Sequence, residues 1–140
     1  MKILTKHISV GDYEFDVGVD RHITVDVFEH FPDLMEYLLE NKTADENKIV
    51  ITAIKEKTLG KLLDSTEQIQ ELVKYAFPAL LAKADKEKGT DNASKADEII
   101  AYIYDNEVET EFSNALFEFI CLGFTNDTNE RKPKVKFVMK

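Results

Sequence analysis

Near the N-terminus, apolar and polar positions alternate as they do in a β-strand. The alternation runs from Tyr13 to Val17, and the pair Gly11-Asp12 just before it is a typical turn. We therefore predict a β-hairpin within residues 1–20. Beyond the hairpin, apolar residues recur every three or four positions, which is the spacing of an amphipathic helix.

Four segments carry this helical spacing. The first begins near Thr24, which we predict to be its cap. The strongest covers residues 66–84, where eight apolar residues share one face, so we expect the longest and most buried helix there. Ser94 and Thr110 are placed to cap two further helices, and Gly123 is placed to end the last one.

The dipeptide Phe-Pro occurs twice on these apolar faces, at Phe31-Pro32 and at Phe77-Pro78. Proline lacks a backbone N–H and crowds the preceding turn, so we expect both helices to be kinked. Both segments follow the pattern Phe-Pro-x-Leu-apolar. Two kinked helices explain this similarity better than an internal duplication does.

These elements predict a single domain of mainly α class with a small N-terminal β-hairpin (α+β) and four or five amphipathic helices. We divide the chain into the hairpin at residues 1–20, a helical body at 24–123 and a basic C-terminal tail at 124–140. Within the tail, residues 135–139 have the composition of an edge strand that would lie beside the hairpin. Residues 49–63 fit either a strand or a helix, and we prefer helix.

Charge and composition narrow the classes of partner. The chain has 140 residues, a net charge of −9 and one cysteine. Because an acidic protein repels phosphate backbones, we expect no nucleic-acid partner. No apolar run approaches the ~18–20 residues that cross a bilayer, and the N-terminal segment does not have the pattern of a signal peptide. We therefore expect a cytoplasmic protein that does not bind membranes.

Basic residues are concentrated at the C-terminus. The last ten residues carry five basic residues and no acidic one, so residues 1–130 carry 13 basic and 27 acidic residues. We identify four side chains as candidates for self-association with the acidic body of a neighbouring copy: Arg131, Lys132, Lys134 and Lys136. A solvated tail that only adds solubility is an equally good interpretation of the charge.

The residues that could carry chemistry form no catalytic or metal-binding motif. The three histidines are His7, His22 and His30, and their spacing matches no metal site. Asp12, Glu14 and Asp16 share one strand face. Carboxylates in this arrangement suit a cation site or acid–base catalysis. We prefer a third interpretation, in which their charges keep a strand edge soluble. Cys121 lies among apolar residues, so we expect it to be buried. We predict no enzyme, no metal and no cofactor.

Apolar side chains in the two Phe-Pro segments are candidates for binding a partner. They are Phe31, Met35, Phe77, Leu80 and Leu81. A kink at Pro78 would open a notch between these segments, and such a groove would receive an amphipathic helix. The alternative is that the same five residues form the core.

The order of these features resembles that of a known family. The chain opens with Met1 to Ile3, contains Gly11-Asp12-Tyr13-Glu14-Phe15, and continues with an amphipathic helix that carries Phe28 and Phe31. An acidic helical body and a short basic end follow. In this order the chain is similar to the tail assembly chaperones of long-tailed phages (siphoviruses) of Gram-positive bacteria, the lactococcal type among them.

The resemblance implies a small non-enzymatic chaperone without a cofactor. It would coat the helical tape measure protein in the host cytoplasm before the tail tube polymerises, and we do not expect it in the mature virion. Binding in many copies, as an open helical array, would suit so long a partner. Two other classes stay open: a small acidic regulator or inhibitor that binds another protein, as a nucleic-acid mimic or host-factor binder, and an enzyme that uses the strand carboxylates.

Overall fold

The structure, a computed structural model, describes residues 3–40, 66–124 and 138–139. In this part of the chain a three-stranded sheet packs with five helices. The strands are β1 (Leu4–Val10), β2 (Tyr13–Val19) and β3 (Val138–Met139), and the helices are α1 (Arg21–His30), α2 (Pro32–Glu40), α3 (Thr66–Lys88), α4 (Ala96–Asp105) and α5 (Glu109–Cys121). The predicted class, mainly α with an N-terminal hairpin, is confirmed.

Strands β1 and β2 form the predicted hairpin. They pair antiparallel along their length and end with Val10 opposite Tyr13, so that Gly11 and Asp12 form a two-residue turn. Gly11 has φ +60°, a left-handed value that glycine adopts without steric penalty. One face of the hairpin is buried through Ile8, Val10, Phe15 and Val17.

The third strand lies along the other edge of β1. It is parallel to β1, with Ser9 opposite Val138 and Val10 opposite Met139. The edge strand predicted beside the hairpin is therefore confirmed at its last two residues. The sheet order is β2-β1-β3, so the end of the chain returns to its beginning.

Helix α3 is the longest helix of the described residues and extends four residues past the predicted end at residue 84. Its buried face consists of Leu72, Val73, Ala76, Phe77, Leu80, Leu81 and Ala84, all of which the apolar spacing predicted. Pro78 lies inside the helix, where its missing N–H leaves the carbonyl of Lys74 without the usual helical partner. The helix packs closely on β2. The absence of a side chain at Gly18 permits this approach, since a Cβ added there would lie only 3.1 Å from the backbone nitrogen of Ala84.

The predicted helix starting at Thr24 is wrong in two respects. Helix α1 begins earlier, at Arg21, because the carboxylate of Asp20 accepts a hydrogen bond from the Ile23 N–H at 2.9 Å. It also ends at His30, since Phe31 is extended, and α2 starts afresh at Pro32. A residue before proline avoids helical backbone angles, and proline suits the first helical position, so this Phe-Pro pair separates two helices.

The two other predicted caps are also wrong. Ser94 lies in a 3₁₀ turn that precedes α4, and Lys95 occupies the cap position without a side-chain hydrogen bond. Helix α5 begins at Glu109, with Val108 at the cap position, so Thr110 is already inside the first turn. Both segments contain several residues able to begin a helix, and tertiary contacts decide between them.

A polar junction joins the start of α1 to other elements. Asp20 forms an ion pair with Lys83 of α3 at 3.0 Å, and only 7% of its side chain is exposed. Burial raises the pKa of the Asp20 carboxyl, but the hydrogen bond from Ile23 and the Lys83 ammonium outweigh this effect and hold the pKa below its ordinary value. Thr24 is buried, and its hydroxyl donates to the Ile120 carbonyl at 2.6 Å, which connects α1 to α5.

The core lies between the hairpin, α1, α3 and the last two helices. Phe77 of α3 is its aromatic centre, with ring centroids 5.4 Å from Phe15 and 5.2 Å from Phe112. Cys121 is buried as expected, and burial raises the pKa of its thiol. No helix among the described residues has the length and apolar character needed to cross a bilayer.

Two sets of predictions lie outside the described residues. The first is the choice between helix and strand for residues 49–63. The second is the proposed self-association set, Arg131, Lys132, Lys134 and Lys136. Both stay predictions.

Candidate partner-binding surface

Most of the predicted groove residues lie in the core. The buried ones are Phe31, Phe77, Leu80 and Leu81, each exposed by 5% or less. Met35 is half-buried and packs against the same core. This packing favours the core interpretation for four of the five residues, whereas the binding of a partner stays a prediction.

One of the five, Phe31, belongs to an aromatic cluster between α1 and α3, and Met35 follows it by one helical turn, with its N–H donating to the Phe31 carbonyl at 3.1 Å. The rings of His30 and Tyr75 are stacked in parallel, with centroids 3.7 Å apart and an angle of 7° between their planes. Phe31 meets both rings edge to face, at 5.0 Å from His30 and 6.1 Å from Tyr75. We call His30, Phe31, Met35 and Tyr75 the aromatic face.

The aromatic face is partly accessible from outside. His30 is exposed, Tyr75 and Met35 are half-buried, and Phe31 lies beneath them at 5% exposure. One exposed and one half-buried ring packed against a buried ring form a shallow apolar surface that is anchored to the core. Tyrosine and other large aromatic residues are enriched at the energetic centres of protein interfaces.

A hydrogen bond fixes the orientation of Tyr75. Its hydroxyl donates to a carboxylate oxygen of Asp26 on α1 at 2.8 Å. This hydrogen bond, with a smaller contribution from burial, raises the pKa of the Tyr75 hydroxyl, so the group stays a proton donor at neutral pH. The ring is therefore held in place before any partner arrives, which lowers the entropic cost of binding.

Helix α2 continues this surface at the periphery of the fold. It packs chiefly on α1, with Leu34 fully buried. The side-chain amide of Gln68 on α3 donates to Asp33 of α2 at 3.2 Å, which ties the start of α2 to the start of α3.

The strand carboxylates that were candidates for a cation or acid–base site contact basic side chains of the chain itself. His7 of β1 lies between two of them, with ring nitrogens 3.1 Å from both Glu14 and Asp16. Asp16 also lies 3.5 Å from the Lys88 ammonium, whereas Asp12 is in the turn. Hydrogen bonds to Glu14 and then to Asp16 raise the pKa of His7, which is 56% exposed. This is a charge network on a strand surface.

Metal coordination finds no support in the described residues. No group of three His, Cys, Asp or Glu side chains is arranged there to hold a metal ion. His22, the remaining histidine, is exposed on α1.

Sequence reasoning found part of the aromatic face and missed its centre. Tyr75 is not one of the apolar positions that recur along α3, and this spacing is a signal that it lies beside the buried face. His30 belonged to no predicted site, since nothing in its local sequence indicates a stacking partner far along the chain. Only the packing of α1 on α3 brings the two rings together.

Comparison with known proteins adds no relative. No family model, no curated protein and no solved structure matches the chain. Any function assigned to the protein therefore rests on its own residues and on the order of its sequence features.

Proposed function

We propose that this protein is a non-enzymatic tail assembly chaperone of a long-tailed phage, and that it binds the helical tape measure protein through the aromatic face. The order of sequence features supports the class of protein. The stack of the exposed His30 ring on the half-buried Tyr75 ring, with buried Phe31 edge to face against both, is the observation that supports the binding mode.

The aromatic face suits an amphipathic helix. Such a helix presents apolar side chains at every third or fourth position, and these pack on a shallow surface with an anchored floor. Phe31 provides the floor, while Tyr75 and Met35 provide flanking contacts of different shape. The flexible thioether of Met35 adapts to varied apolar side chains, as a partner with many similar segments requires.

The charge of the protein suits a client that aggregates when unprotected. A long helical chain with apolar stripes precipitates before it is enclosed by the tail tube. Coating by many copies with a net charge of −9 each would keep the complex dispersed. Contacts between the basic tail of one copy and the acidic body of the next would arrange these copies as an open array in the host cytoplasm.

Co-expression with a tape measure protein, which the proposal expects to be encoded beside this gene, tests the proposal. We expect the wild-type chain to keep that protein in the soluble fraction. Tyr75→Ala removes a central ring, and loss of an interface centre of this kind costs about 2 kcal/mol, or about 30-fold in Kd. The soluble yield of the client, measured by quantitative gel analysis, should fall accordingly.

Matched variants separate binding from folding. Tyr13→Ala is the control, because Tyr13 is also half-buried, meets one ring at 5.2 Å and donates to a carboxylate at 2.7 Å, but lies in the hairpin. His30→Ala removes an exposed ring at small cost in stability, and His22→Ala is its control on the same helix. Equal client yields for His30→Ala and His22→Ala, together with equal yields for the two tyrosine variants, would contradict the proposal.

A further inference from the structure

Exposed carboxylates border the aromatic face. Asp26 of α1 accepts the hydrogen bond from the Tyr75 hydroxyl at 2.8 Å, and Glu29 follows Asp26 by three positions, on the same side of that helix. On α3, Glu71 and Glu67 precede Tyr75 by one and two helical turns. All four carboxylates are exposed. We call Asp26, Glu29, Glu67 and Glu71 the acidic rim.

The helical segments that carry the rim contain few cations to balance it. Residues 22–36 include four acidic residues and no lysine or arginine, and residues 66–79 include two glutamates and one lysine, Lys74. The second part of α3 differs, because residues 80–88 carry three lysines and two acidic residues. Negative charge is therefore concentrated around the aromatic face and is not a uniform property of these helices.

The acidic rim also differs from other carboxylates of the chain in its contacts. Asp20, at the start of α1, forms an ion pair with Lys83 at 3.0 Å. Asp26 instead accepts from the neutral Tyr75 hydroxyl, and within the described residues no member of the rim forms an ion pair with lysine or arginine. A cation from another molecule can therefore approach the rim without displacing a lysine or arginine of this part of the chain.

We propose that the aromatic face binds amphipathic helices whose apolar stripe is flanked by lysine or arginine. The inference rests on the proposed function, since it names the chemistry of the client segments that this face binds. The apolar stripe would pack on the aromatic face, and the long basic side chains beside it would extend to the rim. An aromatic centre with a charged periphery is the common arrangement of protein interfaces, and opposite charges select the partner and its orientation.

The basic C-terminal segment of a second copy is the other candidate occupant. In the structure, however, Val138 and Met139 of that segment pair with β1 as a strand. The aromatic face lies between helices and suits a helical partner, so we assign it to a separate basic helix.

Synthetic peptides of about 18 residues, long enough to form a helix, test this preference. Three peptides share one leucine stripe at helical spacing and carry lysine, glutamine or glutamate at the flanking positions. Fluorescence anisotropy with the full-length protein gives each Kd. We expect the lysine peptide to bind about tenfold more tightly than the glutamine peptide, as several exposed ion pairs together provide, and the glutamate peptide to bind most weakly. At about 1 M salt the advantage of lysine should fall below about twofold.

Two double variants with the same net charge separate the rim from the overall charge. Glu29→Gln with Glu71→Gln neutralises two rim positions and leaves Asp26 in contact with Tyr75. It should weaken binding of the lysine peptide by about threefold to fivefold and leave the glutamine peptide unchanged. The control combines Glu87→Gln and Glu111→Gln, at exposed positions outside the rim, and should change Kd by less than about 1.5-fold.

The outcomes separate this inference from the proposed function. Equal Kd values for the three peptides, all raised by Tyr75→Ala, would overturn the charge preference and leave helix binding at the aromatic face in place. Equal weakening by the two double variants would overturn it too, because net charge alone would then explain the preference. A peptide of residues 131–140 that bound more tightly than the lysine peptide, with the same dependence on Tyr75, would assign the face to a second copy. Absence of binding by all peptides would contradict both the inference and the proposed binding mode.

Discussion

At the scale of single residues, Asp85 organises the reversal between α3 and α4. Its carboxylate accepts hydrogen bonds from the Thr90 hydroxyl at 2.6 Å, the Asn92 N–H at 2.9 Å and the Ala93 N–H at 2.8 Å. Gly89, with φ +69°, ends α3 by donating to the Asp85 carbonyl at 2.7 Å. Asp85 therefore satisfies donors at the start of the next helical segment, which has no cap side chain of its own.

We expect Asp85→Asn to destabilise the protein by about 1 kcal/mol at pH 7, because the amide keeps only one acceptor oxygen and no charge. Urea denaturation followed by circular dichroism measures this change. Asp91→Asn, at an exposed position of the same loop, is the matched control and should change stability by less than about 0.5 kcal/mol.

The same carboxyl gives a dependence on pH with a defined sign. Burial raises the pKa of Asp85, but the hydrogen bonds from Thr90, Asn92 and Ala93 outweigh it and hold the pKa below the ordinary 3.8. The stabilisation is therefore present above about pH 4 and is lost as the pH falls through the folded-state pKa. The difference in free energy of unfolding between wild type and Asp85→Asn should therefore shrink as the pH falls from about 5 to about 2. A difference that stays constant over this range would contradict this account.

At the scale of elements, the two Phe-Pro segments show why sequence alone predicts only part of the fold. Pro78 stays inside α3, whereas Pro32 begins a new helix. Helix α3 has a continuous buried face against β2, and this packing compensates for the hydrogen bond that Pro78 removes. At Phe31, by contrast, the backbone is extended, and the local preference of proline for the first helical position prevails.

The apolar spacing predicted α3 and the hairpin because both signals are local and repeated. The start of α4 was mispredicted because donors just before it are satisfied by Asp85, which lies in the preceding helix. The aromatic face was predicted only in part for the same reason. Its two stacked rings, His30 and Tyr75, lie in different helices, α1 and α3. Contacts between elements leave little trace in the local pattern of either element.

The buried face of α3 gives a prediction about the stability of the core. Leu81 has 0% exposure, so Leu81→Ala should destabilise the isolated protein by about 2–5 kcal/mol, measured by thermal and urea denaturation. Leu81→Met nearly conserves the volume and should cost less than about 1.5 kcal/mol. A folded Leu81→Ala variant of unchanged stability would instead support the open groove that the sequence suggested.

At the scale of the whole molecule, the two chain ends meet in one sheet while their charges differ. The body is acidic and the last ten residues are basic, yet Val138 and Met139 pair with β1. Deleting the tail would therefore remove a strand together with the charges. Charge substitutions are the cleaner way to ask whether the tail drives self-association.

We expect replacement of Arg131, Lys132, Lys134 and Lys136 by Gln to lower self-association while leaving residues 138–139 intact. Raised salt should have the same effect on the wild type, since exposed charges are screened beyond about 8 Å at physiological ionic strength. Sedimentation velocity at low and high salt measures both effects. Unchanged sedimentation in the variant and in high salt would remove the tail from the assembly mechanism.

The most direct test of the proposed function is hydrogen exchange of the protein alone and in its complex with the co-expressed tape measure protein. If the aromatic face binds a client helix, backbone amides within residues 26–36 and 71–79 should exchange more slowly in the complex, while those of the hairpin at residues 4–19 should be unchanged. Protection confined to the hairpin or to residues 96–121, with none at the aromatic face, would contradict the account.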